Sequence, residues 1–257
     1  MAEIRFTLPE ELLAYISKII KEAGLDFFII GAIARDINLA SHSGLHSPRT
    51  TEDLDIAIRV PTIEQFQTII TKFTDTGAFE KTSSNPIRLM YNKSIELDIL
   101  PFGDLENTKR EVRIPSAGSP FVLSVPGLEE VRGICKALAI ASGDTIHYCP
   151  LEGIVLLKLI SWHENSGRTK DMEDISHICN VYFEYLGDEI YEEAHELLHQ
   201  YDTNNYAYQQ LVASHYLGRK VGRIISSNSM LLQIINDKLI RYDGVFRALL
   251  DGINDDI

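Results

Sequence analysis

Asp53 and Asp55 stand two residues apart in the stretch TEDLDIAI. On an extended chain, alternate side chains leave the same face. Both carboxylates then point one way, while Leu54, Ile56 and Ile58 point the other way into a core. Two neighbouring carboxylates repel each other unless a cation lies between them, and hard oxygen donors of this kind suit Mg2+. A third acid, Asp98, is flanked by apolar residues in ELDIL, where a strand could bring it beside the pair. Glu96 shares the face of Asp98 and is the reserve third acid.

Upstream, FFIIGAIARD sets an apolar run, a glycine and a helix start in order. Gly31 allows close backbone approach, and the free N–H groups at Ala32 and beyond favour phosphate. Arg35, one turn further on, adds a positive charge. A D-x-D on a strand is by itself more often an exposed edge than a metal site. An anion cradle, two metal-binding acids and a third acid in this order describe a site for Mg–triphosphate chemistry.

These groups need elements to hold them. Thr7 to Glu10 has the pattern of a capping box with a proline in the first turn, which predicts a helix ending at Gly24. DFFII predicts a strand, AIARDINLA a helix, and SHSGLHSPRT (41–50) a polar loop. LDIAIR is a strand, and Thr62 to Gln65 caps a helix through FQTIITKF. IRLMY and IELDILP form two strands joined at Asn92-Lys93. Residues 103–127 are irregular with a strand or two, CKALAIA is either helix or strand, and TIHYC is a short strand. From Pro150 the pattern is helical, over about 151–163, 169–183, 188–200, 205–226 and 229–250.

The chain has 257 residues, enough for one large domain or two small ones. No apolar run approaches about 18 residues, so no membrane span is expected. The N-terminus lacks the pattern of a signal peptide, and three widely spaced cysteines read as buried thiols of a reducing compartment. The net charge of −13 argues against general nucleic-acid binding. Two basic clusters, Lys109-Arg110-Arg113 and Arg219-Lys220-Arg223, are the exceptions to weigh.

A different chemistry is offered by His195-Glu196-Leu197-Leu198-His199, the H-E-x-x-H spacing of a zinc peptidase. Such a site needs a third ligand. Position 205 is asparagine, no glutamate follows Glu196, and only Asp202 or His215 could substitute. The plainer expectation is two boundary histidines on an acidic helix.

The order IIGA, TEDLDIAI, IELDIL resembles the nucleotidyltransferase superfamily related to DNA polymerase β. Its pattern is an apolar strand, Gly-Gly or Gly-Ser, D-x-D and a later single Asp. LEGIVLLKLISWHENSGRTKDMEDI resembles the segment that follows this core in the AbiEii-type enzymes, which include toxins of bacterial toxin–antitoxin systems. Lys158, Arg168, Lys170, Asp171 and Asp174 fall at its charged positions. The resemblance covers 27–100 and 150–183. Two departures are Ala32, where a second Gly or Ser is usual, and a long interval between Gly31 and Asp53.

The resemblance implies an α+β protein with a nucleotidyltransferase-like mixed β-sheet core flanked by helices (1–149), followed by an all-helical domain (150–257). It implies an NTP substrate and two Mg2+ ions held by Asp53, Asp55 and Asp98. Gly31, Ala32, Arg35 and Lys158 would face the nucleotide. An NMP group would pass to a hydroxyl on a tRNA end, a protein or a small molecule, with release of pyrophosphate. A cytoplasmic location and an antitoxin partner follow from the same likeness. Ala32 keeps open a non-catalytic nucleotide- or protein-binding relative, and the histidine pair a zinc hydrolase.

Overall fold

A computed structural model of the protein describes residues 9–40, 42, 45, 53–82, 85–116 and 118–255. The expected cap at Thr7 and most of the loop 41–50 lie outside the described residues. Packing divides the chain into two units, Met1–Ser41 with Arg49–Pro150, and His42–Pro48 with Leu151–Ile257.

The first unit opens with α1 (Glu10–Glu22), whose Leu12, Leu13, Ile16, Ile19 and Ile20 are buried along one stripe. It stops at Gly24, which takes a positive φ of 70°. The amides of Gly24 and Leu25 bond back to Lys21 O and Ile20 O, closing the helix end. The next elements are β1 (Phe27–Ile30), α2 (Gly31–Ala40), β2 (Leu54–Arg59) and α3 (Ile63–Asp75). Thr62 caps α3 as its spacing predicts, with Oγ1 accepting from the Gln65 amide at 3.2 Å. The strands β3 (Phe79–Lys81), β4 (Arg88–Tyr91) and β5 (Ile95–Phe102) follow. Asn92 and Lys93 both adopt positive φ, the conformation that turns β4 into β5.

Strands β6 (Glu111–Ile114) and β7 (Phe121–Ser124) make a separate hairpin, followed by a short helix, α4 (Leu128–Arg132). CKALAIA resolves as a strand, β8 (Lys136–Ala139), paired with β9 (Thr145–Tyr148). Gly133 separates that strand from α4, and Gly143 with φ 84° turns it back into β9.

The main sheet has seven strands in the order β3-β4-β5-β2-β1-β9-β8. Strand β2 runs parallel to β5 and antiparallel to β1, so the sheet is mixed. Leu54, Ile56, Ile58, Leu89, Tyr91, Leu97 and Ile99 alternate onto one buried face. Rings from α1 and α3 pack there: Tyr15 lies 6.5 Å from Tyr91, and Phe73 stands edge-on to Phe79 at 4.9 Å. The polar residues of β2, β4 and β5 therefore leave the other face.

The second unit comprises α5 (Leu151–Glu164), α6 (Thr169–Leu186), α7 (Glu189–Glu193), a 3-10 turn (His195–His199), α8 (Tyr208–Ile225), α9 (Ser229–Leu239) and α10 (Val245–Asn254). It departs from the sequence expectation twice. The helix expected over 188–200 breaks at Ala194, whose φ of −148° is outside the helical range. The helix expected over 229–250 divides into α9 and α10 around Gly244, with φ 63°. Helices α8 and α10 meet at glycines. A Cβ at Gly218 or Gly222 would overlap carbonyls of α10, and one at Gly252 would overlap His215 O.

Cys149 and Cys179 are buried, Cys135 is half-buried and none forms a disulfide. Burial pushes the Cys135 thiol up to about 12 despite the nearby Arg132. Among the described residues, no helix is long and apolar enough to cross a membrane.

Candidate active site

The site is built where β1 ends and α2 begins. Gly31 takes φ +67° there, a left-handed conformation that L side chains rarely adopt. Ile30 pairs with Asp55 across β1 and β2. This register carries the Asp55 carboxylate onto Gly31 so closely that a Cβ at 31 would overlap Asp55 Oδ2. Gly31 is required on both counts, backbone conformation and space. Gly31 and Ala32 are both half-buried, at the start of α2 where the first amides have no partner within the helix.

Asp55 is also the register partner of Asp98, on parallel strands β2 and β5. Register partners on neighbouring strands project from the same face, about 4.8 Å apart along the sheet. Two of the three acids are thus brought side by side. Asp53 precedes β2 by one residue and is exposed.

Sequence reasoning missed the residue that dominates this face. Arg88 on β4 is the cross-strand partner of Asp98. Its Nε donates to Asp98 Oδ1 and its Nη2 to Asp98 Oδ2, each at 2.7 Å, a bidentate pair. Arg88 also pairs with Glu96. The hydrogen bond to Asp98 raises the guanidinium above its ordinary value against the opposing effect of burial, and the charges of Asp98, Glu96 and Asp53 raise it further. Four charged groups therefore interact here, three acids around one fixed cation. The two-residue turn read at Asn92-Lys93 would set Arg88 opposite Leu97; the loop takes three residues, Asn92 to Ser94, so Tyr91 pairs with Ile95 and Arg88 with Asp98.

The chemistry of the donors suits Mg2+, because Asp53 and Asp55 offer hard carboxylate oxygens near the Gly31 turn. Asp98 is different, because Arg88 bonds both of its oxygens. Among the described residues no three His, Cys, Asp or Glu side chains gather as a metal site. Asp53 and Asp55 are the carboxylates that would hold the ion, and both oxygens of Asp98 are already bonded by Arg88.

Two other residues expected at the nucleotide are differently placed. The Arg35 side chain is 0% exposed, and its Nη2 lies 2.9 Å from Asp36 Oδ1. It presents no surface to a ligand in this arrangement. Lys158 belongs to the helical unit, where Nζ lies 3.1 Å from Asp171 Oδ1 and 2.7 Å from Asp174 Oδ2. Asp171 and Asp174 are buried, and do not form the exposed i, i+4 face that pairing Lys170 with Asp174 would give.

The zinc alternative meets a different local geometry, and the acidic helix expected for the histidine pair is corrected. His195 and His199 lie on a 3-10 turn, not an α-helix. At three residues per turn, positions four apart point about 120° away from each other. Glu196 pairs with Arg219. His215, the substitute ligand, is buried between Tyr201 Oη at 2.7 Å and Asp255 Oδ2 at 2.8 Å. Three members of the two basic clusters are held in ion pairs. Arg110 pairs with Glu106 and Glu130, Arg219 with Glu196 and Asp255, and Lys220 with Glu189.

No protein-family model matches the chain. No curated protein matches it at a significant level. Among solved structures, it is similar to an antigenic nucleotidyltransferase-like protein from Paracoccidioides brasiliensis. The identity is 15%, over 89% of this chain and 92% of that one, with a TM-score of 0.43. It is also similar to ANT(2")-Ia in complex with adenylyl-2"-tobramycin, at 17% identity over 66% of this chain and 87% of that one, with a TM-score of 0.39. A solution structure of ANT(2'')-Ia gives 16% identity, 75% and 97% coverage, and a TM-score of 0.40. Likenesses at this level assign no activity.

Proposed function

We propose that the protein is a metal-dependent nucleotidyltransferase, moving an NMP group from an NTP to an acceptor hydroxyl. The observation that carries this reading is the meeting of Asp55 with Asp98 on one side and with Gly31 on the other. An acid pair beside a glycine turn at a helix start is the arrangement that a metal-bound triphosphate requires.

In this reading the amides following Gly31 hold the terminal phosphates. Asp53 and Asp55 would hold Mg2+, which neutralises triphosphate charge and lowers the pKa of the acceptor hydroxyl. Asp98, once released from Arg88, takes the acceptor proton. The acceptor oxygen bonds to the α-phosphorus, the bond from that phosphorus to the β-phosphate oxygen breaks, and pyrophosphate leaves with the electron pair. Arg88 then faces the charge that develops on the transferring phosphoryl group. Arg35 is assigned to holding α2 in place, and Lys158 to joining α5 to α6.

The AbiEii-type role as a toxin, with an antitoxin partner and a tRNA acceptor, rests on the resemblance of residues 150–183. Incubation with α-labelled NTP and Mg2+ across tRNA, protein and small-molecule acceptors tests the enzyme reading. Label transfer that disappears in Asp55→Ala supports it. Nucleotide binding without pyrophosphate release across all acceptors supports the non-catalytic relative that Ala32 suggests.

A further inference from the structure

Asn38 is buried in the interior of α2. Asparagine is a poor helix former, because its short amide competes for backbone groups. Its presence inside this helix calls for a reason. Its side-chain nitrogen donates twice, to Ala34 O one turn back in α2 at 2.7 Å and to Cys149 O at 2.9 Å. Both acceptors are carbonyl oxygens, so the nitrogen and not the amide oxygen must face them. The bond to Ala34 is local, whereas the bond to Cys149 reaches another part of the sheet.

Cys149 is also tied to the other side of the Gly31 turn. It follows β9, which runs parallel to β1, and its amide donates to Ile29 O at 2.8 Å. Through its N–H and its C=O, Cys149 therefore grips the strand just before Gly31 and the helix about two turns after it. Ile33, Ile37 and Leu39 bury α2 as well. Apolar contacts are non-directional, but a hydrogen bond has a preferred line. The Asn38 bond thus fixes the tilt of α2 on β1. That tilt decides where the first amides of α2, which have no acceptor within the helix, are aimed.

We propose that Asn38 is a positioning residue of the nucleotide site, holding the α2 amides at the terminal phosphates through its bond to Cys149 O. The proposal rests on the nucleotidyl-transfer reading for the identity of the anion, whereas the brace itself does not. Asn38 touches no substrate in this role and supplies alignment alone. Its loss weakens the phosphate contacts, which a role confined to fold stability would leave unchanged.

The test is calorimetric titration of the full chain with two probes, Mg2+ with inorganic tripolyphosphate and Mg2+ with a non-hydrolysable ATP analogue. Asn38→Leu removes both donors at nearly constant volume. Asn38→Ser keeps a hydroxyl for Ala34 O but is too short for Cys149 O, so it isolates the brace and serves where Asn38→Leu fails to fold. Leu39→Val, at a buried neighbour outside the brace, controls for lost stability. Both Asn38 variants bind each probe about tenfold more weakly, the worth of one misaligned hydrogen bond to a charged group. The factor is the same for the two probes, because both present the phosphates, and Leu39→Val binds as the wild type does. Full-strength binding in Asn38→Ser, a loss confined to the ATP analogue, or an equal loss in Leu39→Val overturns the proposal and leaves the nucleotide reading in place. A wild-type protein that binds neither probe overturns the nucleotide reading itself, and this role with it.

Discussion

The carboxylate of Asp55 occupies the space that a side chain at Gly31 would need. The glycine also holds a φ of +67°. One residue thus shapes the turn proposed to face phosphate and leaves room for the acid that would hold the metal. Gly31→Ala must both strain the backbone and push Asp55 aside. We expect a loss of stability of about 1–3 kcal/mol and a loss of pyrophosphate release larger than unfolding explains. Denaturant melts and turnover on the same preparation check this.

Arg88 holds Asp98 by both oxygens and also meets Glu96. Arg88→Met removes the only cation whose bonds to these two acids are described. We expect about 1–3 kcal/mol of destabilisation from hydrogen bonds lost at charged groups. We also expect Mg2+ to raise the melting temperature of the variant more than that of the wild type, because the ion replaces the missing positive charge. Equal Mg2+ shifts in both proteins would show that Arg88 does not compete with a cation for these acids.

Lys158 sits between Asp171 and Asp174, with side chains 14%, 6% and 2% exposed. Removing one partner of a buried ion network leaves charge uncompensated. Lys158→Met therefore costs about 3–5 kcal/mol, whereas a lysine facing only solvent would cost almost nothing. Chemical denaturation of the full chain distinguishes these outcomes.

Asp255 joins α10 to α8 through His215 and Arg219. Burial pushes its carboxyl up, but the bonds from Arg219 and His215 outweigh that and hold it below the usual carboxylate range. A depressed folded value means that the contribution is fully present above the unfolded carboxylate pKa and is lost as pH falls through the folded one. Asp255→Asn is thus expected to be less stable than wild type at pH 7. The gap should narrow only in acid, below the ordinary carboxylate pKa of about 3.9. Melting curves from pH 7 down to pH 2 measure it, and a gap independent of pH would remove Asp255 from the clamp.

Local patterns carried much of this architecture. The alternation in LDIAIR placed Asp55 on a strand, whereas Asp53, expected on the same strand, lies one residue before it; Thr62 marked the start of α3, and Asn92-Lys93 marked a turn. Helix breaks inside the second unit were not legible, because Ala194 carries no breaking signal. Gly244 was the visible mark of the second break, yet apolar periodicity runs through it. The close contact of α8 with α10 at Gly218, Gly222 and Gly252 emerged only from the packing. The burial of Arg35 and the pairing of Lys158 depend on tertiary neighbours. A charged side chain in sequence does not say whether its partner is a ligand or an aspartate.

The account depends on Asp53 and Asp55 holding a metal-bound triphosphate against the Gly31 turn. Calorimetric titration of the full chain with a non-hydrolysable ATP analogue, with and without Mg2+, measures this directly. The expected result is saturable, Mg2+-dependent binding that is lost in Asp53→Asn and in Asp55→Asn while both variants melt like the wild type. Binding that persists undiminished in both variants, or no binding to the wild type, would contradict the account.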